Sequence, residues 1–295
     1  MNLAHLLASI AEGGASGADL AQRHGVSRSM IWKGVEALRA EGLQIAGEAG
    51  QGYTLTNASG FGRHTLAWRL GREVHFYSEC GSTNQEARGL AEGGGVAEGT
   101  LVVTDHQTGG RGRLGRIWES QPGENLLFSL VLKPALPPQH APLCVLAWAA
   151  AMAETIGCQV KWPNDLVTAQ GKKLGGILAE LVAEAEQVRF IVLGVGINVN
   201  QRNFSGLPDA TSLALEGGNG RDRASLLADL VAAIEAETTE PYPDLTRWRA
   251  LSHTIGRRVR VGDIEGMATG LRDDGALLVD GRAVLAGDVA MVDGE

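Results

Sequence analysis

Four glycines and three arginines followed by an indole, Gly109-Gly110-Arg111-Gly112-Arg113-Leu114-Gly115-Arg116-Ile117-Trp118, form the segment of this chain best equipped for chemistry. Three guanidiniums do not enter a core without partners. The glycines make the stretch a poor helix and a poor strand. It is suited to closing over an anion: arginine presents a fixed fork of donors to carboxylate and phosphate oxygens, and Trp118 offers a flat face to a base. A mobile lid over an acid and a nucleotide is the expectation, with Gly110, Gly112 and Gly115 as its flexible points. The bland reading is a solvated basic loop.

Four further segments argue against the bland reading. Cys80-Gly81-Ser82-Thr83-Asn84 places hydroxyls and an amide where a strand gives way to a helix, with Ser82 or Thr83 a plausible cap, and Gln107 stands just before the lid. Lys161-Trp162-Pro163-Asn164-Asp165 is stiffened by proline, and Asp165 is placed to hold Mg²⁺ or to take a proton. Lys172-Lys173-Leu174-Gly175-Gly176-Ile177-Leu178-Ala179-Glu180 sets a lysine before a strand, within reach of an acid–phosphate junction. Gly194-Val195-Gly196-Ile197-Asn198-Val199-Asn200 is an apolar strand ending in amides. There is no Walker-type GxxxxGK[ST] loop, so a phosphate cradle has to come from these segments.

Positioning them requires a sheet. Strands are expected at Val74–Ser78, Gly99–Thr104, Asn125–Leu132, Lys173–Leu181 and Val188–Val199, and helices at Thr83–Leu90, His140–Gly157 and Arg223–Glu237. Without a regular βαβ rhythm this is a central α+β mixed-sheet domain over residues 65–250. Residues 1–60 read as a winged helix-turn-helix. Helices at Leu3–Ile10, Gly17–His24 and Arg28–Glu41 are followed by a hairpin with its tip at Gly47–Gly52, and Asn57–Arg63 is a linker. Ser27, Arg28, Ser29 and Lys33, at the start of the third helix, are the expected DNA contacts. This module carries four basic and five acidic residues, a weak balance for nucleic acid. Residues 256–295 carry short strands split by Asp-Gly turns and predict a small C-terminal SH3-like β-barrel.

The whole chain of 295 residues has a formal charge of −8, which disfavours tight non-specific DNA binding. Its three cysteines form no metal pattern and no even disulfide set, so reduced structural thiols and a cytoplasmic location are expected. The start of the chain reads as a helix rather than a leader, and the longest apolar tract, Ala141–Met152, is too short to span a bilayer.

Taken in order, the five segments resemble the biotin protein ligases, and the added winged helix and C-terminal strands resemble the bifunctional bacterial type that also represses biotin-synthesis genes. The resemblance implies ATP and Mg²⁺ as cofactors and biotin as substrate. It implies a biotin carboxyl carrier protein of acetyl-CoA carboxylase, a homodimer and operator DNA as partners. It implies that Ser82, Thr83, Asn84, Gln107, Arg111, Gly112, Arg113 and Lys173 hold biotin, and that Arg116, Trp118, Asp165 and Asn198 lie at the nucleotide. Lys173, Arg113 and Asp165 would be catalytic, and Asp165 would meet the metal. Leu114 stands where a further basic residue is common, and the wing tip Glu48–Tyr53 lacks the basic residue that repressor-type members often carry. A related lipoate ligase, a sensor that binds biotin without transferring it, and a ligase whose winged helix does not bind DNA are the competing readings.

Overall fold

The computed structural model describes residues 1–48, 52–94, 96–184, 186–238 and 243–292. The chain packs as two units, Met1–Ser78 with Asp222–Ala228, and Glu79–Arg221 with Asp229–Glu295.

In the first unit three helices pack on one core: α1 (Leu3–Ala11), α2 (Gly17–Arg23) and α3 (Arg28–Ala40). Each starts on a side-chain cap. Asn2 accepts the Ala4 and His5 N–H groups, Ser16 and Asp19 form a reciprocal capping box, and Ser27 accepts from Met30. Leu6, Leu7, Ile10, Leu20, Ile31, Val35 and Leu38 make the interior. A Cβ on Gly34 of α3 would stand 2.8 Å from a Leu6 methyl, so α1 and α3 approach only because that position is bare. Strands β1 (Gln44–Glu48) and β2 (Gly52–Asn57) pair antiparallel as the expected hairpin. Its tip at residues 49–51, where the missing basic residue was noted, lies outside the described residues.

The polar stretch expected as a linker leads into α4 (Arg63–Leu70), and β3 (His75–Tyr77) follows. The cap of α4 comes from a distance. Glu41, just past α3, accepts from the backbone N–H groups of His64 and Thr65, from the Thr65 hydroxyl at 2.8 Å and from the His64 imidazole at 2.6 Å. Burial raises the Glu41 pKa, but these four bonds together outweigh it and hold the carboxyl below its ordinary 4.5. A depressed carboxylate stabilises above its unfolded pKa and loses that contribution as pH falls through its folded value. Glu41→Gln is therefore expected to cost about 1–3 kcal/mol at pH 7 and to flatten the acid limb of unfolding below about pH 4.5. Far-UV circular dichroism against pH checks this, and an unchanged acid limb would refute it.

The second unit is built on a sheet whose strands run β4-β5-β9-β8-β7-β6. These are β4 (Thr100–Thr104), β5 (Leu126–Leu132), β6 (Gln159–Lys161), β7 (Asp165–Val167), β8 (Lys173–Glu184) and β9 (Gln187–Ile197). The pairings from β4 to β6 are antiparallel. Every residue of β5 is buried, as a strand apolar at all positions but Ser129 requires. Helix α5 (Thr83–Glu92) packs on β4, β5 and β9, and the Ala-rich α6 (Ala141–Ile156) on β6, β7 and β8. Helices α7 (Leu213–Gly217), α8 (Arg223–Thr238) and α9 (Thr246–Ala250) follow, α8 beginning in the first unit and continuing in the second.

The C-terminal strands correct one expectation. Strands β10 (Arg258–Val261), β11 (Ile264–Leu271), β12 (Leu277–Val279), β13 (Arg282–Val284) and β14 (Val289–Met291) form an open antiparallel sheet in the order β13-β12-β11-β10-β14. Among the described residues no pairing joins β13 to β14, so the barrel is not closed. Each edge strand has three residues, too few ladder bonds to complete a ring, and the register slips on β11 between Ala268 and Gly270. Among the described residues, no helix is long and apolar enough to cross a membrane.

Candidate active site

One end of the sheet of the second unit carries a cleft, and its polar floor starts with α5. Ser82 occupies the N-cap position without making the expected side-chain cap. Gln107 supplies it, accepting from Thr83 N–H at 2.8 Å and from the Thr83 hydroxyl at 3.1 Å. Behind them the Ser129 hydroxyl lies 2.8 Å from Thr83 Oγ1 and 2.7 Å from Asn84 Oδ1. Asn84 Nδ2 donates to Leu178 O and to Glu180 Oε1. Asn84 is thus locked on both ends of its amide, and Thr83 on both sides of its hydroxyl. Ser129 and Glu180 were not singled out from sequence. A lone serine inside the apolar run Leu126–Leu132 was the available signal, since a buried hydroxyl demands a partner.

Beside this floor, glycines open a shelf. A Cβ on Gly194 would sit 2.1 Å from Asn84 Oδ1, and one on Gly196 would sit 2.7 Å from the Trp118 ring. The indole therefore rests on bare strand. Its N–H is buried and has no acceptor among the described residues. Lys173, at the start of β8, stands 5.8 Å from the same ring, and its Nζ is 2.7 Å from Asp165 Oδ1. Pairing of Asp165 with Gly176 across β7 and β8 brings the carboxylate to the shelf. The cis peptide between Trp162 and Pro163 lies in the turn before it. The Trp162 indole donates to Gly275 O in the turn between β11 and β12, tying the two turns together.

The lid closes on itself more than its composition suggested. The backbone N–H of Trp118 donates to Gly110 O, that of Gly112 to Arg116 O at 2.8 Å, and Arg111 bridges Ile117. The tip is a single 3₁₀ turn, Arg113–Gly115, with Leu114 and Gly115 at positive φ. Gly110 is needed for close approach, because a Cβ there would be 2.6 Å from Trp118 O. Arg113 Nη1 lies 3.3 Å from Asn164 Oδ1 and from Gly287 O, and 3.5 Å from Asp288 Oδ1. Arg116 pairs with Asp288 at 2.5 Å. Asn164 and Asp288 are additions to the expected set. The second holds two of the three lid arginines, Arg113 and Arg116, from a loop far along the chain, which no local pattern signals.

The cleft thus gathers Ser82, Thr83, Asn84, Gln107, Arg111, Gly112, Arg113, Arg116, Trp118, Asp165 and Lys173. Asn198 borders an adjoining hollow that shares Trp118 and Lys173 with the cleft and is closed by Phe204 and Leu207, and its Nδ2 donates to Thr211 O. In the first unit, Arg28, Ser29 and Lys33 are exposed at the start of α3, where Ser27 is the cap. Burial pushes the thiols of Cys144 and Cys158 up to about 11 and about 12, and Cys80 is raised in the same way, so none is an activated nucleophile. Among the described residues no group of three or more His, Cys, Asp or Glu could hold a metal ion.

Residues 81–198 match the biotin/lipoate A/B protein ligase family, and residues 3–54 match an HTH domain. Among similar proteins, the bifunctional ligase/repressor BirA of Bacillus subtilis is 35% identical over 90% of this chain and 89% of its own length. The biotin–[acetyl-CoA-carboxylase] ligase of Mycobacterium tuberculosis is 36% identical over 74% of this chain and 88% of its own. The structure of the biotin protein ligase from Aquifex aeolicus in complex with biotin and ATP is similar at a TM-score of 0.61 and 30% identity, covering 75% of this chain and 99% of that one.

Proposed function

We propose, since the chain belongs to the biotin protein ligase family, that it activates biotin with ATP to biotinyl-5′-AMP and transfers the biotinyl group to a lysine of a biotin carboxyl carrier protein. It is a ligase and, through its helix-turn-helix, a biotin-responsive repressor. The observation that carries the site assignment is the Lys173–Asp165 pair beside Trp118, between a polar floor and the lid arginines.

In the first step the biotin carboxylate attacks the α-phosphate and pyrophosphate leaves. The nucleophile belongs to the substrate, so the protein positions reactants and offsets charge. Thr83, Asn84 and Gln107 hold the fused rings of biotin. Lys173 and Arg113 face the carboxylate and α-phosphate oxygens, with Arg111 and Arg116 behind them, and the unpaired Trp118 N–H and ring face take the base. Asp165 and the ATP phosphates would hold Mg²⁺, which takes one or two carboxylates beside phosphates and supplies charge neutralisation when bound. In the second step the carrier amine attacks the mixed anhydride and AMP departs. Asp165 orients the amine or takes its proton. The closed lid keeps water from the anhydride.

A homodimer bound to a two-fold operator through Ser27, Arg28, Ser29 and Lys33 is the DNA-binding form we favour. We assign the C-terminal strands to an SH3-like topology and the reaction to the cytoplasm. The deciding experiment is intact-mass analysis of an apo carrier domain incubated with this protein, biotin and MgATP. One added biotinyl group is expected. Biotin binding with no transfer would favour the sensor reading instead.

A further inference from the structure

The recognition helix α3 exposes an aromatic residue that the core does not use. Ile31, Gly34, Val35 and Leu38 face inward, and the core is complete without the opposite face. Away from that core, Trp32 is 54% exposed on one flank of the helix and Met30 44% on the other. Trp32 follows Arg28 by one turn and adjoins Lys33. Aromatic side chains exposed beside cations on a helix that docks on a partner are available to that partner's apolar groups.

The helix-turn-helix match names duplex DNA as that partner, and the charge says what such binding would lack. Of the four cations in residues 1–60, Arg23 is paired with Glu12 and Arg39 with Glu36. Arg28 and Lys33, the other two, stand on the exposed face with Trp32. Two cations per module supply a small phosphate term, and the acidic balance of the module opposes it further. Sequence-selective binding then needs an uncharged source of affinity. Major-groove edges offer one apolar group, the thymine 5-methyl.

We propose that Trp32 reads thymine, seating its indole on a 5-methyl group in the major groove while Ser29 and Lys33 meet neighbouring edges and phosphate. This rests on the repressor reading above. The occupant is duplex DNA with a thymine at a fixed place in each half-site.

The test begins with duplexes selected from a random-sequence library by the full chain in the presence of biotin and MgATP. Fluorescence anisotropy then compares the selected duplex with versions carrying deoxyuridine for each thymine in turn, which removes only the methyl. One position per half-site is expected to weaken binding about fivefold to tenfold. Trp32→Ala should weaken the native duplex by at least as much and lose sensitivity to that methyl, while the slope of log Kobs against log salt stays unchanged. Lys33→Ala should reduce the slope by about one per site. Insensitivity of the native protein to every deoxyuridine would overturn the proposal without any variant. So would equal weakening of selected and random duplexes by Trp32→Ala. Failure to select any sequence would instead remove the repressor reading on which it stands.

Discussion

Lys173→Ala is expected to lower the rate of adenylate formation by about 10²–10³, the usual loss when one preorganised charge at a reacting phosphate is removed. The ammonium lies 2.7 Å from Asp165 Oδ1, so its removal does more than delete an attraction. It also leaves the Asp165 carboxylate without the ammonium that fixes its position beside the phosphates. The backbone of Lys173 is fixed by its N–H to Asp209 O and its carbonyl to Thr211 N–H, so the strand should keep its place. Biotin-dependent ATP–pyrophosphate exchange reads the first step alone, and intact-mass analysis of the carrier reads both. Both should fall together. Lys173→Ala with Asp165→Asn should lose less than the two single effects combined, because the two side chains are in contact and act as one pair. Exchange within a few-fold of the native rate would refute the role.

Why those residues were visible in the sequence, and others were not, follows from where their partners lie. The lid, the Ser82–Asn84 helix start and the Lys172–Glu180 strand announce themselves because polar residues interrupt glycine or apolar runs locally. Asp288 does not, because its partners Arg113 and Arg116 are more than 170 positions away. Helix α4 was hidden for the same reason: its cap, Glu41, lies 23 residues before His64, and Gly62 at its own N-cap makes no side-chain bond. Strands β6 and β7 have three residues each, too short for a period to register. The hairpin signals of residues 256–295 specify strands that neighbour in sequence, which the open sheet pairs, but say nothing of whether its two edges meet. Asn198 was legible as a polar residue ending an apolar strand, and its Nδ2 donates to Thr211 O, a partner that no local pattern signals.

The glycines of β9 give the most selective expectation. Gly194 and Gly196 are two residues apart on one strand and so share a face about 7 Å apart. They serve different neighbours, Asn84 for the first and Trp118 for the second. Gly194→Ala would place a methyl 2.1 Å from Asn84 Oδ1, inside any permitted contact. Asn84 is 5% exposed and bonded to Ser129, Leu178 and Glu180, so it can move only by giving up those bonds. With two or three hydrogen bonds lost or misaligned, biotin affinity should fall about 10²-fold, about 2.7 kcal/mol. Gly196→Ala instead displaces the indole and should raise KM for ATP with biotin binding near native. Gly89→Ala, on α5 with nothing near its Cβ, should leave both affinities unchanged and serves as the control. Isothermal titration with biotin alone, set beside ATP–pyrophosphate exchange, separates the two seats. If Gly194→Ala bound biotin normally while weakening ATP, the floor and the shelf would have to exchange ligands, because no repositioning of Asn84 leaves its present hydrogen bonds intact.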